Sequence, residues 1–214
     1  MSDAATRLHA IRSAVADAAK AARREASEVT IVAVSKNRSV EQIEELIEAG
    51  QRHFGENRVQ EAQAKWPALK ARYPDVVLHM VGQLQSNKAE EAAALFDVVH
   101  SLDRPSLGAA LVKAGWKGPT YLQVNIGEEE QKGGVAIAEL PTFLSDVRAR
   151  GLHVAGLMAI PPSEVEPAPY FALLAKLARR HDVNGLSMGM SGDFRSAVML
   201  GATVVRIGTA FFED

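Results

Sequence analysis

The sequence contains no cysteine. That excludes a disulfide scaffold, a cysteine nucleophile, Cys-ligated zinc and iron–sulfur clusters, and it fits a reducing compartment. An excess of one charge is also missing: 24 Lys and Arg face 26 Asp and Glu, for a net charge of −2. No basic field is available to hold nucleic acid as a main partner. No apolar run approaches the ~20 residues that span a bilayer, so no membrane partner is expected. Met1 to Ala26 is rich in Ala but dotted with Arg, Lys, Asp and Glu, which is not the pattern of a signal peptide. The expected location is therefore cytoplasmic. The six histidines include no i, i+4 pair, which argues against metal ligation. Fixed repeats, low-complexity tracts and long linkers are absent too, so residues 1–214 read as one domain.

What is present is an alternation of strand-like and helix-like segments. Leu8, Ile11, Val15, Ala18 and Ala22 recur at helical spacing and predict an opening amphipathic helix. Short apolar runs predict strands at Thr30–Val34, Gln51–Phe54, Val76–Val81, Asp97–Ser101, Thr120–Asn125, Leu152–Met158, Asn184–Met188 and Thr203–Ile207. The second and fourth are the weakest of these. Helical stretches separate them. One begins at a capping box, Ser39 to Gln42, and stops at Gly50; another, from about Arg58, should end or kink at Pro67. Continuous apolar strands point to a parallel sheet buried on both faces. Eight strands, each but the last followed by a helix, predict an α/β fold, a (β/α)8 TIM-type barrel with an extra N-terminal helix. An open doubly wound sheet is the alternative.

In such barrels the working face is built from loops at the carboxyl ends of the strands. Ser35-Lys36-Asn37, Phe54-Gly55-Glu56-Asn57, the loop from Gly82 to Lys88, and Met190-Ser191-Gly192-Asp193 should meet there, with Arg206, Gly208 and Thr209. Lys36 ends an apolar strand. Desolvation and a neighbouring cation such as Arg38 would leave it some free amine, a Schiff-base nucleophile toward carbonyls. Taken alone, it reads as a lysine that snorkels at the rim, since lysines at strand ends are common. The loops after the seventh and eighth strands are a usual phosphate site. Glycines there admit a phosphate to the backbone, Ser191 could cap the next helix, Thr209 offers a hydroxyl and Arg206 a fixed charge. A lysine and a phosphate site in one mouth suit pyridoxal 5′-phosphate or a phosphosugar aldolase substrate.

Six blocks carry a resemblance: Val32-Ala33-Val34-Ser35-Lys36, the run from Phe54 to Glu61, the run from Gly82 to Lys88, Gly156 to Pro161, Leu186 to Ser191, and Val205 to Ala210. In this order they resemble the YggS/PROSC family of pyridoxal phosphate homeostasis proteins over nearly the whole chain. The resemblance implies a barrel similar to the N-terminal domain of alanine racemase, with pyridoxal phosphate held as an internal aldimine on Lys36. It implies Ser191, Arg206, Gly208 and Thr209 around the phosphate, with Arg206 facing the pyridine nitrogen as the alternative. It puts Asn57 in the ring pocket, where the other reading is a helix cap. The chain departs from the family pattern at its end, Phe211-Phe212-Glu213-Asp214 in place of a Phe-Gly pair, and in the loop from Pro161 to Tyr170, which is shorter.

The racemases of this fold carry a second domain and a tyrosine base. Tyr73 and Tyr170 read as packing or surface residues and Tyr121 lies at the wrong end of a strand, so a carrier without turnover is expected rather than a racemase-like enzyme. No catalytic residue and no metal is assigned. Pyridoxal-dependent apo-enzymes are the expected recipients, and a monomer the expected state. Lys132, in the run from Glu128, is an alternative participant in cofactor transfer.

Overall fold

The computed structural model describes residues 3–212. Helix α1 (Asp3–Ala21) buries Leu8, Ile11, Val15 and Ala18 on one stripe, the spacing that predicted it. Eight strands follow: β1 (Thr30–Val34), β2 (His53–Glu56), β3 (Val77–Met80), β4 (Val98–Leu102), β5 (Thr120–Gln123), β6 (Val154–Met158), β7 (Gly185–Ser187) and β8 (Val204–Ile207). They pair in parallel and in chain order, and β1 returns to β8 from Thr30↔Val204 to Ala33↔Ile207. That closure removes the open-sheet alternative. Every residue of β4, β5 and β8 is buried, as parallel strands must be when helices cover one face and packed side chains fill the other.

The outer layer is α2 (Val40–Glu48), α3 (Val59–Arg72), α4 (Ala89–Leu95), α5 (Pro105–Lys113), α6 (Leu140–Ala149), α7 (Ala168–Arg180), α8 (Phe194–Met199) and α9 (Thr209–Phe212). The capping box forms as read: Ser39 Oγ accepts from Gln42 N–H at 3.3 Å, and the Gln42 side chain accepts from Ser39 N–H at 3.1 Å. Gly50 ends the turn after α2 with φ +101°, where a side chain would be strained. The extra helix α1 packs on α2, α8 and α9, outside the seam where β8 meets β1. Arg24 ties its end to α8, donating to the carbonyls of Val198 and Ala202, each at 2.9 Å. Inside the barrel, Val32, Val98, Tyr121, Met158 and Val204 form an apolar cluster of their own.

Several boundaries differ from expectation. β2 lies two residues later than Gln51–Phe54, so Gly55 and Glu56 are strand rather than loop. Pairing with β1 and β3 on both sides overrides the low strand propensity of Gly and Glu. The shortest strand is β7, with three residues, while β4 has five. Pro67 sits inside α3, which runs on to Arg72. β8 is followed by a helix after all, α9, and Phe212 at its end lies 5.2 Å beneath the Arg38 guanidinium. Glu213 and Asp214 lie outside the described residues. Among the described residues no helix is long and apolar enough to cross a membrane.

Candidate functional site

The carboxyl ends of six strands surround a cavity of about 390 Å³, within the range of ordinary small-molecule sites. Lys36 enters it from β1, Asn57 from β2, Ile160 from β6, Ser191 and Gly192 from β7, and Arg206, Gly208 and Thr209 from β8. Lys36, Asn57, Ser191, Arg206, Gly208 and Thr209, the six expected to touch the ligand, all line it, whereas the loop from Gly82 to Lys88, expected at the same mouth, lines a separate groove. Larger grooves lie elsewhere, between α5 and α6, beside Gly82 and Lys88, and between α3 and α4, but none of these contains Lys36 or Arg206.

Lys36 is carried on a turn clamped from two sides. Asn37, the next residue, has φ +59°, a left-handed conformation that Asn tolerates. Its N–H donates to Glu61 Oε1 at 2.6 Å. On the other side Lys65 Nζ donates to the Ser35 carbonyl at 2.9 Å, and Ser35 Oγ donates to Glu56 Oε1 at 2.8 Å. Glu56 is fully buried; its Oε1 also takes the Trp66 Nε1–H at 3.0 Å and the Lys65 ammonium at 2.7 Å. Lys36 itself is exposed, so the dry environment expected around its amine is not there.

Arg206 is buried inside β8, not a surface ion pair. Its Nη1 donates to Ser187 Oγ at 2.6 Å and its Nη2 to the Ala159 carbonyl at 3.1 Å. Burial lowers its pKa to about 10, against the pull of the Asp193 carboxylate, so the guanidinium stays charged at neutral pH. Ser191 does not cap α8. The N-cap is Asp193, whose carboxylate closes the loop by accepting Met190 N–H at 2.6 Å. Ser191 Oγ instead accepts Gly208 N–H at 3.2 Å and joins the β7 and β8 loops. Asn57 is not a cap either, since Arg58 holds the N-cap of α3. Its backbone lies against Gly82, where a Cβ would come within 2.2 Å of the Asn57 carbonyl oxygen.

The set fits a ligand with an anionic group and a carbonyl: two hydroxyls and glycine backbone on the loops after β7 and β8, a primary amine after β1, and a charged guanidinium held by Ser187 and Ala159 within the barrel. A model of the family described as alanine racemase, N-terminal domain, matches residues 7–214. The pyridoxal phosphate homeostasis protein of Escherichia coli K12 is 36% identical, with 99% of this chain and 97% of that one covered. The chain belongs to the pyridoxal phosphate homeostasis protein family. The family protein of Pseudomonas aeruginosa is 38% identical over 99% of this chain and 96% of its own. PipY of Synechococcus elongatus, solved with PLP bound, is 37% identical with a TM-score of 0.84 and covers 98% of this chain and 100% of its own. Alanine racemase of Corynebacterium glutamicum, 18% identical with a TM-score of 0.66 over 95% of this chain and 60% of its own, shares the barrel fold.

In this family member the tyrosines stay out of the cavity, and Tyr121 stacks on His100 inside the barrel at 4.6 Å between ring centroids. Lys132 also stays out of it; the amine pairs with Glu129 at 2.7 Å and reaches the Pro161 carbonyl at 3.5 Å. No metal-binding group occurs among the described residues. Sequence reasoning missed Glu56, Lys65 and Glu61, which hold the Lys36 turn, and Gly82. A signal existed for three of them: Glu56 and Glu61 lie inside the block from Phe54 to Glu61, and Gly82 opens the block that runs to Lys88. Gly82→Ala is expected to push the Asn57 backbone aside at a cost of about 1–3 kcal/mol, as overpacking does. Denaturant unfolding checks this, and an unchanged midpoint would show that the loop relaxes freely.

Proposed function

We propose that this chain binds pyridoxal 5′-phosphate in the cavity at the barrel mouth and takes part in intracellular pyridoxal phosphate homeostasis. The observation that carries the reading is the convergence of Lys36, Ser191, Gly208, Thr209 and Arg206 on one cavity of about 390 Å³. PipY with PLP bound, at 37% identity, supports it. Bound pyridoxal phosphate supplies an aldehyde that condenses reversibly with amines. Lys36 provides the amine that anchors it. Ser191, Gly208 and Thr209, on the loops after β7 and β8, hold the phosphate.

Arg206 faces the pyridine nitrogen, because Ser187 and Ala159 fix its guanidinium within the barrel rather than on those loops. Asn57, braced by Gly82, lines the ring. An exposed anchoring lysine at an open mouth suits a carrier that releases its ligand to pyridoxal-dependent apo-enzymes.

The test is a titration of the pure protein with pyridoxal phosphate, followed by absorbance and by retention through gel filtration. Saturable binding at one site per chain is expected, weakened at least about tenfold by Ser191→Ala combined with Thr209→Ala, the loss of about 1.4 kcal/mol of phosphate contacts. No binding by the wild-type chain would overturn the reading in favour of a phosphate-binding barrel of another kind.

A further inference from the structure

Three histidines stand in a row inside the barrel, on three adjacent strands. His53 opens β2, His79 lies in β3 and His100 in β4. His53 Nδ1 is 3.1 Å from His79 Nε2, and His79 Nδ1 is 2.9 Å from His100 Nε2. His100 Nδ1 is 2.7 Å from Ser187 Oγ, across the barrel on β7, and Ser187 Oγ receives Arg206 Nη1 at 2.6 Å. His79, His100, Ser187 and Arg206 are all buried. We propose that Ser187, His100, His79 and His53 form a one-way hydrogen-bond chain that fixes the orientation of the Arg206 guanidinium, making the histidines positioning residues for the cavity.

The direction follows from what each group can give. A guanidinium only donates, so Ser187 Oγ accepts from Arg206. The hydroxyl has one proton. If His100 Nδ1–H also donated to Ser187, that proton would have no acceptor, because His100 and Arg206 are the only hydrogen-bond partners of Ser187 Oγ among the described residues. Buried donors are rarely left so. Ser187 O–H therefore donates to His100 Nδ1. A neutral imidazole then carries its proton on Nε2 and donates to His79 Nδ1. His79 Nε2–H donates in turn to His53 Nδ1, and His53 presents its own Nε2–H at the half-buried end of the chain. Neutrality follows from burial and from what a second positive charge would meet: His79 is lowered to about 3 by burial and by the adjacent His53, and His100 well below its usual value by burial, by the adjacent His79 and by the Arg206 guanidinium. Stacking of Tyr121 on His100 restrains the orientation of that ring. Removing His100 leaves Ser187 free to rotate and Arg206 with one fixed partner, the Ala159 carbonyl; removing His79 leaves the His100 Nε2–H without its acceptor, so the His100 tautomer that receives Ser187 is no longer fixed.

The functional consequence rests on the proposed cofactor reading, while the chain's direction does not. Two-bond proton–nitrogen correlation on the 15N-labelled, cofactor-free protein at pH 7 tests the direction. The expected result is His79 and His100 both neutral with the proton on Nε2. A proton on Nδ1 of either ring, or an imidazolium, would overturn the proposal.

A second measurement tests the positioning role. His79 does not line the cavity, yet His79→Phe is expected to weaken pyridoxal phosphate binding about tenfold. His79→Gln, whose amide both donates and accepts, should restore most of it. Wild-type affinity in a folded His79→Phe variant would overturn the positioning role. If the wild-type chain bound no pyridoxal phosphate, the cavity reading would fail and the tautomers alone would decide the chain.

Discussion

Lys65→Met is expected to lower the free energy of unfolding by about 3–5 kcal/mol, the cost of leaving a buried charge without its partner. Glu56 is fully buried and its Oε2 has no hydrogen-bond partner, so the carboxylate depends on what meets Oε1. Three donors meet it there, and Lys65, 10% exposed, is the one with a positive charge. Methionine keeps the apolar length of the side chain and removes the charge. A loss of this size is a large share of the roughly 5–15 kcal/mol that stabilises a typical domain. Combining Lys65→Met with Glu56→Gln should recover most of it, because the amide keeps an acceptor for Ser35 and Trp66 without the buried charge. Chemical denaturation of the three variants measures this. A single-variant loss under about 1 kcal/mol would mean that the pair behaves like an exposed one. The same variant should loosen the Lys36 turn, since Lys65 also holds the Ser35 carbonyl.

The second large effect is acid destabilisation centred on the buried histidines. In the unfolded chain an imidazole takes up its proton near pH 6.5. Folded His79 does so only near 3, because burial and the adjacent His53 oppose the charge. Between those values the unfolded state binds more protons, so stability is complete above about pH 6.5 and falls as the pH drops through the window toward 3. At roughly 1.4 kcal/mol per pH unit, His79 alone accounts for on the order of 5 kcal/mol of loss. His100 and His53, both lowered by burial, act in the same direction. Urea midpoints at pH 7, 6, 5 and 4 should fall steadily, beginning above the range where carboxylates titrate. His79→Gln should flatten the part between pH 6.5 and 5. A wild-type midpoint unchanged down to pH 5 would contradict the account.

The barrel was legible because its strands are covered on both faces, so their sequences are continuous apolar runs that periodicity detects. The cavity was legible for a related reason: a residue such as Lys36, at the carboxyl end of an apolar run, has only the rim to occupy. β2 was misplaced because its sequence, His53-Phe54-Gly55-Glu56, lacks strand character. Gly55 is there for space, since a Cβ would stand 3.0 Å from Val32 Cγ1, and Glu56 because a neighbouring helix offers Lys65 and Trp66. Neither reason is local. The histidine row escaped notice because its members are 26 and 21 residues apart, and only the parallel register sets them side by side. The role of Ser191 was misread because Asp193 took the cap position and Gly208 came within reach across two loops.

Lys36 is the hinge of the functional account, and borohydride reduction after incubation with pyridoxal phosphate tests it most directly. Mass mapping of the reduced protein should find one pyridoxyl adduct per chain, on Lys36, with Lys36→Ala unlabelled at that site. An adduct confined to another lysine, such as Lys132, or scattered across the surface, would contradict the account.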